Sequence, residues 1–141
     1  MPHSESQNEV KILSQFILKG DISPSVLSQI SPCALAYIGD AVYELHIRTC
    51  HLLPPKKIAD YHHQVVDKVR AETQAVYLQN IYPLLNDTER DWVRRGRNAV
   101  NKSPRRLPLQ TYQAASGFET LLGYLYLCEG DRLEFLLSQL K

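Results

Sequence analysis

Between Ala34 and Leu45 the chain reads Ala-Leu-Ala-Tyr-Ile-Gly-Asp-Ala-Val-Tyr-Glu-Leu, an apolar stretch with a carboxylate, Asp40, at its middle and no Lys or Arg nearer than Arg48. Leu35, Ile38, Val42 and Leu45 recur at helical spacing, so the stretch is predicted to be a largely buried helix with an acid in it. A lone buried carboxylate costs several kcal/mol, on the order of what a small domain can spare in total. A metal ion, an arginine or a proton has to offset that cost.

A second stretch, Ser-Gly-Phe-Glu-Thr-Leu-Leu-Gly-Tyr-Leu-Tyr-Leu-Cys over residues 116–128, repeats the pattern around Glu119. Each acid has a glycine close by, Gly39 and Gly123. Gly123 follows Glu119 by one helical turn, so it lies on the same face and admits the close approach of another backbone. The expectation is two helices that cross at these glycines and bring the acids together. Two acids at partly wet helix edges is the alternative that the pattern leaves open.

The rest of the chain supports an all-α fold. Residues 1–8 are polar and predicted to be disordered, and residues 9–141 to form a single domain. A short helix is expected over Glu9–Lys19, ended by Gly20. Ser23-Pro24 and Ser31-Pro32 are N-cap and first-turn signals, opening a short helix through Ile30 and the Asp40 helix, which should run to about His51. Leu53-Pro54-Pro55 stops it. Two helices fit Lys56–Asp67 and Val66–Tyr82, with the boundary between them open. Asn86 with Glu89 resembles a capping box for a helix over Asp87–Arg95 that Gly96 interrupts. Residues 97–110, polar and basic with Pro104 and Pro108, are expected to form an irregular loop. Helical pattern resumes from Thr111 to Cys128, Gly130 ends it, and Asp131–Leu140 makes the last helix. Sustained strand alternation is absent.

At 141 residues the chain can bury a core without staples. It has no apolar run fit to cross a membrane and no signal-peptide order at its start, so a cytoplasmic protein is expected. Cys33, Cys50 and Cys128 are widely spaced and in apolar company. They read as reduced core residues rather than a disulfide framework or a zinc site. The net charge of +1 conceals a local concentration of positive charge. Arg90, Arg94, Arg95, Arg97, Lys102, Arg105 and Arg106 face a single acid, Asp91, over residues 90–106. Such a stripe attracts phosphates over about a Debye length, ~8 Å. Arg94, Arg95, Arg97 and Lys102 around a flexible Gly96 suit the backbone of double-stranded RNA, which is read by shape, phosphate and 2′-OH. A solvated loop is the bland alternative. Asn98 fits either a ribose contact or a turn cap.

Tyr37-Ile-Gly-Asp-Ala-Val-Tyr43, the segment His63–Ala75, Arg95-Gly-Arg-Asn98 and Gly117-Phe-Glu-Thr-Leu-Leu-Gly-Tyr-Leu-Tyr126, in that order, resemble the catalytic domain of ribonuclease III. More narrowly they resemble the small bacterial branch, Mini-ribonuclease III, which lacks the double-stranded-RNA-binding domain. The resemblance covers residues 28–140. It implies a homodimeric, Mg²⁺-dependent endoribonuclease that cuts both strands of double-stranded RNA and leaves a 5′-phosphate. Asp40 and Glu119 match the family's metal-binding acids, and the substrate implied is the precursor of large-subunit (23S) ribosomal RNA. With no RNA-binding domain, there is room for a ribosomal protein that presents the substrate.

The chain also departs from long-form ribonuclease III. Cys33, Ala36 and Ser116 stand where that form carries further acids, which leaves the number of metal ions open. Glu44, one turn after Asp40, fits either a water-mediated ligand or a salt-bridged surface residue. Tyr37 and Tyr43 fit hydrogen bonding near the site or plain packing. The competing reading is a helical, non-catalytic RNA-binding module. A carboxylate-metal nucleotide hydrolase would need clustered Glu-x-x-Glu helices, which this chain lacks.

Overall fold

The computed structural model describes residues 22–104 and 106–140. The expected helix over Glu9–Lys19, its Gly20 stop and the polar first residues lie outside the described residues, as does Arg105. Among the described residues the fold is all-α: α1 (Pro24–Leu27), α2 (Pro32–Cys50), α3 (Ile58–Val69), α4 (Ala71–Ile81), a 3-10 turn at Tyr82–Leu84, α5 (Asp87–Asn98), α6 (Leu109–Cys128) and α7 (Gly130–Ser138).

The start signals work as their chemistry requires. Ser31 Oγ accepts the Ala34 N–H at 3.1 Å, with Pro32 at the first helical position. Asn86 Oδ1 accepts the Glu89 N–H at 2.8 Å while Glu89 Oε1 accepts the Asn86 N–H at 2.9 Å, a complete capping box. The boundary left open in the sequence falls at Arg70, whose extended backbone (ψ 157°) separates α3 from α4. Thr73 Oγ1 and Gln74 Nε2 donate across that break to the carbonyls of Asp67 and Val69, at 2.6 and 2.8 Å, and so take up acceptors freed at the end of α3.

Helix α6 is the axis of the molecule. Apart from Glu119, it is buried without interruption from Ala115 to Gly123, and α2, α4 and α5 pack around it. Phe118, Leu121, Leu122 and Leu125 are fully enclosed. Tyr43 of α2 meets Phe118 and Tyr77 edge to face, at 5.2 and 6.5 Å between ring centres. Its hydroxyl donates to the Lys68 carbonyl at 2.6 Å, tying α3 to the core. Tyr43 is therefore a packing residue.

Four expectations need correction. The buried stripe of α2 is Leu35, Gly39, Tyr43 and Ile47, spaced four apart, rather than the Leu35-Ile38-Val42-Leu45 row. Ile38 and Leu45 remain 38% and 68% exposed, because α2 is apolar on two faces and α6 covers only one. Gly96 does not interrupt α5, which continues through it to Asn98. Gly130 opens α7 instead of ending α6, and α6 starts at Leu109, directly after Pro108. Finally, Cys33 and Cys50 are exposed and Cys128 is half-buried, and none of the three is in a disulfide. On α2 the thiols lie beside the buried stripe, not on it.

Candidate active site

The two acid-bearing helices cross at their glycines. A Cβ added to Gly39 would sit 1.7 Å from the Glu119 carbonyl oxygen, and one added to Gly123 would sit 1.9 Å from the Leu35 carbonyl oxygen. Neither position has room for a side chain, so backbone packs directly on backbone. Gly96 of α5 packs against the side chain of Thr120 on α6, where an added Cβ would come within 2.4 Å of Oγ1, and against Gly117. Thr120 Oγ1 in turn lies 2.8 Å from the Ser116 carbonyl and 3.2 Å from that of Pro32, joining α6 to the start of α2. The spine that carries Glu119 is thus clamped between α2 and α5.

This crossing brings Asp40 and Glu119 together. Burial, the charge of Asp40 and a hydrogen bond with the Asp40 side chain push the Glu119 carboxyl up to about 8. Asp40 itself is exposed, which corrects the expectation of a buried acid. It follows Gly39 and so flanks the stripe that meets α6, while Glu119 is the half-buried partner. Neither carboxylate has an ion pair with a basic side chain among the described residues. Two acids in contact, one of them forced to hold its proton near neutral pH, form a site that a cation fits. Among the described residues no group of three or more His, Cys, Asp or Glu gathers, so the donors are few. That suits Mg²⁺, which keeps several of its waters and binds through one or two carboxylates.

Glu44 is paired with Arg48 at 2.7 Å and Tyr37 is 83% exposed, so no contact draws either into the carboxylate pair. The basic residues fall on more than one face of α5, a consequence of its continuing as a helix. Arg94, Arg97 and Asn98 line a cleft of about 460 Å³ with Arg90, Tyr82 and two acids, Asp87 and Asp91. Arg94 is held there by Asp91, and Arg90 lies over the Tyr82 ring at 4.7 Å. Arg95 is elsewhere, its guanidinium 4.3 Å from the centre of the Trp92 ring. Lys102 is exposed on the extended segment that follows. The helix brings three of these five residues together and leaves Arg95 and Lys102 apart.

Sequence reasoning missed the acid that is fully buried. Glu89 is 1% exposed and takes a two-pronged ion pair from Arg132, at 2.9 and 3.1 Å. The capping box was legible, but the arginine comes from α7, 43 residues along the chain. Also missed was the second apolar face of α2. Ala34, Ile38, Ala41 and Leu45 line a groove of about 760 Å³ that runs to Ile30 and Leu137 and is almost entirely apolar. The signal was available: more apolar positions around α2 than one stripe uses.

The Ribonuclease III domain family matches residues 34–130. The chain is 56% identical over 116 residues to a Mini-ribonuclease 3 from Synechocystis sp., covering 82% of this chain and 80% of that one. It is 53% identical over 125 residues to a Mini-ribonuclease 3 from Synechococcus sp., covering 87% and 91%. The solved structure of protein FN1578 from Fusobacterium nucleatum superposes with a TM-score of 0.72 at 27% identity, over 77% of this chain and 90% of that one. The chain belongs to the ribonuclease III family, in its Mini-ribonuclease 3 branch.

Proposed function

We propose that this ribonuclease is a Mg²⁺-dependent endonuclease of double-stranded RNA, and the observation that carries the reading is the Asp40–Glu119 pair at the α2–α6 crossing. Asp40 and Glu119 would hold the ion. When bound, Mg²⁺ would supply an activated water and positive charge for the 3′ oxygen as it leaves phosphorus, and breaking that bond leaves a 3′-hydroxyl on one product and a 5′-phosphate on the other. The chain's own residues contribute position and charge. The glycine crossing fixes both carboxylates on rigid helices, and Arg94, Arg97 and Asn98 present a basic cleft that suits backbone phosphates, with Arg95 and Lys102 extending the positive surface.

Two copies are needed to cut both strands. The apolar outer face of α2 supports a homodimer, since a patch of this kind on a water-facing surface marks an interaction site. No described helix is long and apolar enough to cross a membrane, in keeping with a cytoplasmic enzyme. The family resemblance supports large-subunit ribosomal RNA precursor as the substrate, presented by a ribosomal protein.

The test is cleavage of a labelled duplex RNA and of a 23S precursor fragment, with Mg²⁺ and with EDTA, by wild type and Glu119→Gln. Metal-dependent fragments that the variant does not produce are expected. No cleavage of either RNA by the wild type would leave the non-catalytic RNA-binding module as the better reading.

A further inference from the structure

Arg95, like Arg90, lies over an aromatic ring, but unlike Arg90 and Arg94 it has no polar partner among the described residues. Arg94 is paired with Asp91, and Arg90 donates to the Tyr82 carbonyl at 3.2 Å. Arg95 makes no ion pair and no side-chain hydrogen bond among the described residues; its guanidinium lies over the Trp92 indole instead. Trp92 is itself fixed. It is 6% exposed and stacked on Tyr124 of α6 at 5.6 Å with 24° between the planes, and it packs in a cluster with Leu35 of α2. The platform under Arg95 is therefore built on the same two helices that carry Asp40 and Glu119.

A guanidinium lying on an aromatic ring is restrained in orientation while its N–H edges stay free, the arrangement suited to gripping a phosphate with two parallel hydrogen bonds. We propose that Trp92 is a positioning residue that holds the Arg95 guanidinium over its indole, edge outward, to take one backbone phosphate of the duplex. This rests on the duplex-RNA reading above. It adds a phosphate contact, referenced to the acid-bearing helices, from an arginine whose polar groups are not already engaged by Asp91 or the Tyr82 carbonyl as those of Arg94 and Arg90 are.

Trp92 is the single tryptophan of the chain, so tryptophan emission comes from the indole under Arg95 and from no other. The experiment is titration of the full-length protein in EDTA with a short duplex RNA over a range of salt, read by affinity and by Trp92 fluorescence. The wild type should bind with a change in emission. Arg95→Gln should weaken binding roughly tenfold or more, lower the slope of log affinity against log salt by about 1, and abolish the emission change. Arg95→Lys should keep the slope and lose the emission change, because an ammonium supplies charge without the flat stacked fork. In Trp92→Phe, shown to be folded by circular dichroism, Arg95→Gln should cost about two- to fivefold less than in the wild type. Arg95→Gln binding with wild-type affinity and slope, or a strictly additive cycle with Trp92→Phe, would overturn the proposal while leaving duplex binding intact. A wild type that binds no duplex at any salt would sink the duplex reading and this contact together.

Discussion

At the scale of single residues, two glutamates show how environment divides acids of one chain between structure and chemistry. Glu89 is enclosed but fully partnered, by the cap it closes and by Arg132. Arg132→Met should cost about 3–5 kcal/mol in urea unfolding, because it strands a buried carboxylate. Glu119 is the opposite case, with a like charge for a neighbour. Its folded pKa, about 8, lies above the ordinary 4.5, so the folded protein holds that proton more tightly than the unfolded chain does. The resulting stabilisation is fully present below 4.5 and is lost as pH rises through 8. In EDTA, the melting temperature of the wild type should therefore fall relative to Glu119→Gln as pH rises from 4.5 to about 8, and Mg²⁺ should restore it. If the ion takes the place of the proton, its apparent affinity should rise with pH and level off near 8. A pH-independent difference between the two proteins would count against the shared proton. Asp40 and Glu119 were visible in the sequence as misfits in apolar helices, but their contrasting burial was not, since it depends on how two helices far apart in the chain cross.

At the scale of elements, the crossing of α2 and α6 is decided by glycines rather than by large side chains. Gly39→Ala or Gly123→Ala would drive a methyl group into a carbonyl oxygen, and the helices would have to separate. Overpacking usually costs ~1–3 kcal/mol, and a rigid backbone neighbour puts these two at or above the top of that range. Gly130→Ala is the control, with nothing within 4 Å of the added carbon. At the first position of α7 it should be neutral or stabilising by about 0.4–1 kcal/mol. Urea midpoints for the three variants check the contrast. Gly96 belongs with the first pair, being packed on Thr120 and Gly117. A glycine among charged residues read as a break in the helix, yet its role is contact with α6, and that partner lies outside any local window.

At the scale of the whole molecule, the unpaired apolar face of α2 makes a specific statement about assembly. Leu45→Glu and Ile38→Glu change side chains that this chain leaves exposed, so helical content and unfolding midpoint should change little. If the proposed homodimer uses this face, both should convert it to a monomer in sedimentation equilibrium, because each would bury an unpaired charge in the interface. A wild type that sediments as a monomer, or a Leu45→Glu protein of unchanged mass, would remove this face from the assembly.

By itself, the sequence determined the elements and the family. Caps, prolines and apolar spacing are local signals, and they placed the all-α succession, the Ser31 and Asn86 starts and the two acid-bearing helices. The tertiary structure alone decided which face of α2 is buried, that Gly96 sits inside a helix, that Asp40 is exposed while Glu119 is half-buried, and that Arg132 neutralises Glu89. The physical reason is common to all four. Burial, close approach and charge pairing depend on what a second helix places opposite a residue, and that helix lies outside the local window in which caps, prolines and apolar spacing are read.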